Sequence, residues 1–218
     1  MESNNAAQVL EAKIVKHCAP VLTGIKPASM FSCPLKSAQC CGNPACTSLK
    51  LVDFFLAYGD CKNRLSRLGV EMTILDQRER SALVFVYRPS HLLRTISSKE
   101  SAEFLKTLGY DASDVNKSLN ILAQRIDVAN PSSGRRRTCS FPHEIGVFLG
   151  YPVEDVIGFM ENQGDNYLVC GCWKAYSNAS DAITCFCRFE ECTQDLVCRH
   201  EAGTRIDELV VPERFEAA

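Results

Sequence analysis

One thirteen-residue pattern occurs twice in this chain. The segments EFLKTLGYDASDV at 103–115 and EIGVFLGYPVEDV at 144–156 share Leu-Gly-Tyr, followed after three residues by Asp-Val. A glycine directly after a helix adopts the left-handed backbone conformation that other residues resist. Gly109 and Gly150 are therefore predicted to end one helix and lead into the next. The chain is expected to contain two related helix-Gly-Tyr-helix hairpins, at about 97–127 and 141–163.

A change of hydrophobic period predicts a β-hairpin before these segments. Val70, Met72 and Ile74 alternate with polar residues, and the later segment ALVFVY is rich in β-forming residues. The charged run DQRERS between them predicts a turn. These features favour two antiparallel strands.

Helical periodicity predicts three further helices. They lie at about 6–18, where Pro20 is expected to close the helix, at about 47–69, and at about 178–200. In the second of them, Val52, Phe55 and Leu56 are predicted to lie on one face. The mixed order predicts an α+β fold, with a small, mostly antiparallel sheet packed with several helices. The length favours a single domain over residues 1–218.

Charge and cysteine content bear on the compartment and the partners. The 24 basic and 26 acidic residues nearly balance, so no global field favours nucleic acid or anionic lipid. Residues 1–10 lack the basic start and apolar run of a signal peptide, and no apolar run is long enough to span a bilayer. An odd count of 13 cysteines then argues for reduced thiols. We expect a cytoplasmic protein with no membrane partner.

The strongest candidate for a chemical site is the pair His143 and Glu144. Pro142 suits the first position of a helix, which places both residues in its first turn. The first hairpin has Ser101 and Ala102 where the second has Pro142 and His143, so the hairpin itself does not require a histidine. A helix start favours a neutral imidazole that can accept a proton or bind a metal. The alternative is that Glu144 caps the helix and His143 packs.

Cys18 is a second candidate, as a nucleophile or second ligand. Its predicted position at a helix C-terminus does not favour a thiolate, so it would need an external base such as His143, with Glu144 orienting the imidazole. A pocket is expected where the start of the His143 helix meets the segment HCAP. The alternative is that Cys18 is a small core residue.

Other residues are candidates for binding a ligand or a metal ion. Lys26 and Lys174 could each bind an anionic ligand, although a surface lysine is the simpler interpretation. The full set of candidate ligand contacts is Lys26, Tyr151, Trp173 and Lys174. A cysteine-rich loop could wrap a metal ion, but its spacing lacks the paired Cys-x-x-Cys of common zinc sites; its cysteines are Cys33, Cys40, Cys41 and Cys46.

A DNA-reading helix-turn-helix is the rival interpretation of the second hairpin. Its second helix would present Glu154 and Asp155 in the first turn, where acidic groups repel the phosphate backbone. Three arginines, Arg135 to Arg137, precede the hairpin. The acidic turn disfavours nucleic acid as a partner.

Three phrases of the sequence carry a family resemblance. FPHEIGVFLGYPVEDVIGFMENQG, NYLVCGCWKAY and HCAPVLTGIKPASMF resemble the uncharacterised bacterial family DUF3793, and Pro142-His143-Glu144 is its most characteristic triplet here. The likeness covers most of the chain, while the loop from Cys33 to Cys46 lies outside these phrases. The resemblance implies a soluble bacterial protein and supplies no mechanism.

The sequence therefore supports two main function classes. The first is a small-molecule- or metal-binding protein, with or without enzymatic activity, that uses His143, Glu144 and Cys18. The second is a non-catalytic interaction or regulatory scaffold with a protein partner. The absence of a Gly-rich phosphate loop, a G-x-S-x-G elbow and an H-E-x-x-H motif disfavours nucleotide, serine-hydrolase and zincin chemistry.

Overall fold

The computed structural model of the chain describes residues 2–36, 49–129 and 141–213, with side chains from Ala6 onward. The chain divides into two compact units. Unit 1 consists of residues 1–25, 29–88 and 192–218, and unit 2 of residues 26–28 and 89–191. Helices together with two small sheets confirm the predicted α+β class. The single domain stays a prediction.

The elements follow one another in a mixed order. They are α1 (Glu2–Leu22), β1 (Ala28–Pro34), α2 (Leu51–Ser66), β2 (Glu71–Arg78), β3 (Ser81–Tyr87), α3 (Pro89–Ile96), α4 (Lys99–Thr107), α5 (Val115–Ala129), α6 (Ile145–Phe148), α7 (Val153–Glu161), β4 (Val169–Cys170), β5 (Lys174–Ala175), α8 (Ala179–Glu201) and α9 (Ile206–Leu209).

Unit 1 contains the predicted antiparallel hairpin. Strand β3 lies between β1 and β2, and β2 pairs antiparallel with β3 from Glu71 opposite Tyr87 to Arg78 opposite Ser81. Helix α1 packs against α2, α9 and β3. Pro20 does not close α1, which continues to Leu22. Proline lacks only one N–H, so near a helix end it removes a single hydrogen bond without stopping the last turn.

A buried arginine joins three segments of unit 1. Arg88 is 1% exposed, and its Nε donates to the carbonyl of Val21 at 2.7 Å. Its terminal nitrogen donates to the carbonyls of Leu22 at 2.6 Å and Val211 at 2.7 Å. The guanidinium thus satisfies carbonyls at the end of α1 that have no partner inside the helix.

The buried face of α2 is opposite to the face that carries Val52, Phe55 and Leu56. Its buried residues are Phe54, Ala57, Cys61 and Leu65, whereas Val52 is 69% exposed, Leu56 62% and Phe55 40%. Helix α2 therefore carries apolar residues on two faces. Periodicity alone cannot tell which face meets the core.

Unit 2 is built around α3, which packs against α4, α5 and α6. The sequence prediction did not include α3, an eight-residue helix that buries Leu92 and Ile96. Helix α4 is capped by Ser98, whose hydroxyl accepts from the N–H of Ser101. The hydroxyl of Ser97 donates to the carbonyl of Leu93 in α3.

Both predicted hairpins form in unit 2 and close their first helix in the same way. Tyr110 N–H donates to Leu105 and Tyr151 N–H to Gly146, each five residues back, while Gly109 and Gly150 have φ near +80°. This is the Schellman arrangement. The first helix of the second hairpin is short, however: α6 has four residues, and Pro142 and His143 precede it.

Strands β4 and β5 form a small antiparallel hairpin. Its turn holds Gly171, and a Cβ there would meet the ring of Phe186 in α8 at 2.3 Å. Only a glycine lets the turn approach α8 so closely.

Candidate functional site

The side chain of His143 lies in a tight turn that leads into α6. Ile145 N–H donates to Pro142 at 3.1 Å and Gly146 N–H donates to His143 at 3.1 Å, both across three residues. These are 3₁₀-type bonds. The predicted reason for a neutral imidazole, a full helix start, therefore does not apply, because a four-residue helix has only a small dipole.

His143 lines an open pocket of about 720 Å³ in unit 2. The walls come from the end of α4, from α5, from the turn before α6 and from α7. Most of the lining is apolar, and four side chains are polar. The lining residues are Leu108, Ile121, Gln124, Arg125, Val128, Phe141, Pro142, His143, Glu144 and Met160.

Glu144 lies at the inner wall of this pocket and is 4% exposed. Its Oε1 accepts from the hydroxyl of Tyr110 at 3.0 Å and from Arg125 at 2.7 Å. Burial, and then the charge of Glu144, raise the pKa of Tyr110 well above its usual range. Glu144 makes no side-chain bond to the start of α6, so its predicted alternative role as a helix cap is wrong.

Arg125 completes this network. Its second terminal nitrogen donates to the carbonyl of Leu108, and its guanidinium lies over the ring of Tyr110 at 5.0 Å. The side chain of Arg125 is 40% exposed and that of Glu144 is 5% exposed. The ion pair therefore has a buried acidic member and a basic member that reaches the pocket.

The imidazole of His143 is surrounded by aromatic rings. Its centroid lies 4.8 Å from that of Phe159 and 6.1 Å from that of Phe141. Among the described residues, none forms a hydrogen bond with either ring nitrogen. Imidazole can donate from one nitrogen and accept at the other, so both functions remain open to a bound molecule.

Cys18 belongs to unit 1, whereas the polar residues of the pocket belong to unit 2. It is fully buried in the hydrophobic cluster that also contains Leu10 and Leu65. Its neighbour His17 is exposed and stacks on Phe31 at 5.6 Å. Partial desolvation of the ring, and then the charges of Lys16 and Lys13, lower the pKa of His17. The pairing of Cys18 with His143 stays a prediction.

Three of the four predicted ligand contacts lie together in unit 2. Lys26 is 8% exposed, with its Nζ 5.0 Å from the ring centre of Tyr151 and 5.6 Å from that of Phe189. Tyr151 stacks on Trp173 at 4.9 Å. Lys174 makes different contacts: it donates to the carbonyl of Gly164 at 2.6 Å and lies over Tyr167. These contacts are those of a packed cation–aromatic cluster.

The cysteine-loop metal hypothesis falls mostly outside the described residues. Cys40, Cys41 and Cys46 lie there, and Cys33 is fully buried in β1. Burial raises the pKa of the Cys33 thiol, which disfavours the thiolate a metal requires.

One other group of potential metal ligands occurs in the part of the chain that the structure describes. Glu11, Asp60 and Cys61 bring their ligand atoms within 4.8 Å of one another. Arg64, however, bonds Glu11 at 2.5 Å and Asp60 at 3.3 Å. Burial, and after it the negative charge of Glu11, raises the pKa of Cys61 to about 12. An arginine already balances these carboxylates, so the group is an ion-pair cluster.

Asp155 has a role that the sequence interpretation missed. It is 3% exposed, and its carboxylate accepts from Trp173 Nε1 at 2.8 Å and from the N–H groups of Tyr176 at 2.8 Å and Ser177 at 2.9 Å. The Asp155 side of the first turn of α7 is therefore occupied by the segment after β4, whereas Glu154 in the same turn is exposed. Asp155 is thus not available to face a DNA groove, and the exposed Glu154 would repel phosphates.

The comparisons with known proteins give a family and no further relative. A family model described as "Protein of unknown function (DUF3793)" matches residues 14–210. No curated protein matches, and no solved structure matches. Within the ranges the structure describes, no helix is both long and apolar enough to cross a membrane.

Proposed function

The chain belongs to the DUF3793 family, and we propose that unit 2 binds a small organic molecule in the His143 pocket. The pocket combines apolar walls with a few convergent polar groups, which is the usual composition of a small-molecule site. Its volume of about 720 Å³ lies within the range of such sites.

The main support for this proposal is that the ring nitrogens of His143 have no hydrogen-bond partner among the described residues. Its ring contacts Phe159 and Phe141, yet no described residue bonds its nitrogens. The side chain is only partly buried, so a molecule in the pocket can reach these nitrogens. The site therefore offers a donor and an acceptor at an apolar wall.

The other polar residues have supporting roles in this proposal. Glu144 fixes Arg125 through their 2.7 Å bond, and Tyr110 donates to the same Glu144 oxygen at 3.0 Å. If the bound molecule reacts, His143 is the group positioned to accept a proton. Neither Cys18 nor a metal ion is required for binding.

Fluorescence of N-phenyl-1-naphthylamine, a neutral dye that brightens in apolar sites, tests the proposal. We expect saturable binding that Phe141→Ala weakens about tenfold, equivalent to ~1.4 kcal/mol. Phe55→Ala is a matched control, because Phe55 and Phe141 are both 40% exposed. Absence of saturable binding, or equal losses in the two variants, would contradict a pocket at His143.

A further inference from the structure

We infer, on the basis of the proposed function, that the ligand is a monocarboxylic acid with an apolar tail. The inference concerns the polar end of the pocket, where Arg125, Gln124 and His143 all carry N–H donors. A carboxylate accepts hydrogen bonds at both oxygens and matches the planar fork of a guanidinium.

Arg125 has donors left for such a ligand. Of its five N–H groups, one bonds Glu144 and one bonds the carbonyl of Leu108. No described residue accepts from the other three. The side chain is 40% exposed on the pocket side, and the Tyr110 ring at 5.0 Å supports the plane of the guanidinium. The fork is therefore held in place before any ligand arrives.

The carboxylate of Glu144 does not prevent anion binding at this position. Its side chain is 5% exposed, and the oxygen that faces Arg125 already accepts two hydrogen bonds. Its charge is balanced by the guanidinium at 2.7 Å. An incoming carboxylate would meet the remaining N–H groups of Arg125, not the Glu144 oxygens.

The apolar tail is inferred from two exposed hydrophobic side chains that line the same pocket. Phe141 is 40% exposed and Met160 is 38% exposed, although both are large apolar residues. Ile121 and Val128 of α5 extend the apolar lining. A hydrocarbon chain would cover these side chains, and methionine adapts readily to ligands of varied shape.

Competition between octanoate and 1-octanol for the dye tests this inference, since the two compounds differ only in the head group. We expect octanoate to bind the wild-type protein at least tenfold more tightly than 1-octanol. Arg125→Lys keeps the charge but loses the fork, and should reduce this preference to about threefold or less. Arg78→Lys is the matched control, because Arg78 is 42% exposed and bonds Asp76 at 2.7 Å.

A second variant keeps the test valid if Arg125→Lys does not fold. Gln124→Leu removes a donor on the exposed side of α5 without touching Glu144, and should lower the preference about threefold. Equal binding of octanoate and 1-octanol by a wild-type protein that binds the dye would overturn the carboxylate inference and leave the proposed pocket standing. No dye binding at all would overturn both.

Discussion

The two hairpins of unit 2 share a backbone plan and differ in what their side chains bind. Each closes its first helix on a glycine with the same pair of main-chain bonds. In the first hairpin, Asp114 accepts from the N–H of Lys117 and caps its own helix. In the second, the equivalent Asp155 accepts from Trp173, Tyr176 and Ser177, which belong to a later segment.

Glu103 and Glu144, which also occupy matched positions in the two hairpins, differ in their surroundings as well. Glu103 is exposed, whereas its counterpart Glu144 is buried against Tyr110 and Arg125. Local sequence therefore sets the turn, and the surroundings set the function of each side chain. The residues of the second hairpin have taken on partners distant in sequence, and the pocket forms beside them.

The largest contrast is expected between the two aspartates. Asp155→Ala should lower the free energy of unfolding by about 3–5 kcal/mol, because it leaves an indole N–H and two main-chain N–H groups without an acceptor. Asp114→Ala should cost about 1 kcal/mol, the usual effect of losing a helix cap. Urea denaturation of both variants measures the difference, and similar costs would show that the hairpins are not specialised in this way.

Acid should reduce the stabilisation that the Asp155 carboxylate provides. Burial alone would raise its pKa, but the bonds from Tyr176, Trp173 and Ser177 outweigh it and place the pKa below the usual value. A depressed folded-state pKa gives stability that is present above the unfolded value of about 3.9 and is lost as pH falls through the folded value. The difference in unfolding free energy between wild type and Asp155→Asn should therefore shrink below about pH 4.

The next contrast is expected between Gly109 and Gly150, in the stability that each loses when alanine replaces it. Gly109→Ala should cost about 1–2 kcal/mol for the left-handed backbone alone, because a Cβ there has nothing within 4 Å. At Gly150 the Cβ would also lie 2.7 Å from Pro27, which adds about 1–3 kcal/mol of overpacking. Chemical denaturation should rank Gly150→Ala as the less stable protein. The reverse order would mean that the two turns do not have the surroundings described.

The smallest contrast is expected between the two glutamates. Glu144→Gln keeps the shape but replaces a charge-assisted bond to Arg125, and should cost about 1–2 kcal/mol. Glu103→Gln changes an exposed side chain and should stay within about 0.5 kcal/mol. Thermal unfolding of the two variants measures both values. A cost at Glu103 as large as that at Glu144 would remove the distinction between them.

The sequence was sufficient where local chemistry determines structure. Both glycine-ended hairpins and the β2–β3 pair follow from turn residues and hydrophobic period. It was insufficient for α2, because apolar residues on two faces leave the buried side undetermined until β2 and α1 pack against it. The short α3 was missed because eight residues with two buried positions give little periodic signal.

Part of the candidate site could be anticipated and part could not. His143 stood out because the first hairpin has Ala102 at the matching position, and Glu144 stood out as its neighbour after Pro142. Arg125 had no such signal, since it is one polar residue on an amphipathic helix and meets Glu144 only through tertiary packing. The partners of Asp155 were hidden for the same reason. Comparison of Asp114 with Asp155 shows that a matched sequence position does not predict a matched contact.

The contacts of Arg88 have a consequence for how the chain is made. It bonds the carbonyls of Leu22 and Val211 at once, and Leu209 and Val210 share a hydrophobic cluster with Leu10. At ribosomal speeds of 5–20 residues per second, roughly 10–40 s separate the synthesis of the two carbonyls. Helix α1 can pack against α2 and β3 as soon as these elements emerge, but the part of its surface that contacts α9 stays uncovered through that interval. Residues 89–191 emerge meanwhile as a nearly continuous unit. The end of α1 therefore gains its last hydrogen-bond and apolar partners only after unit 2 has been synthesised.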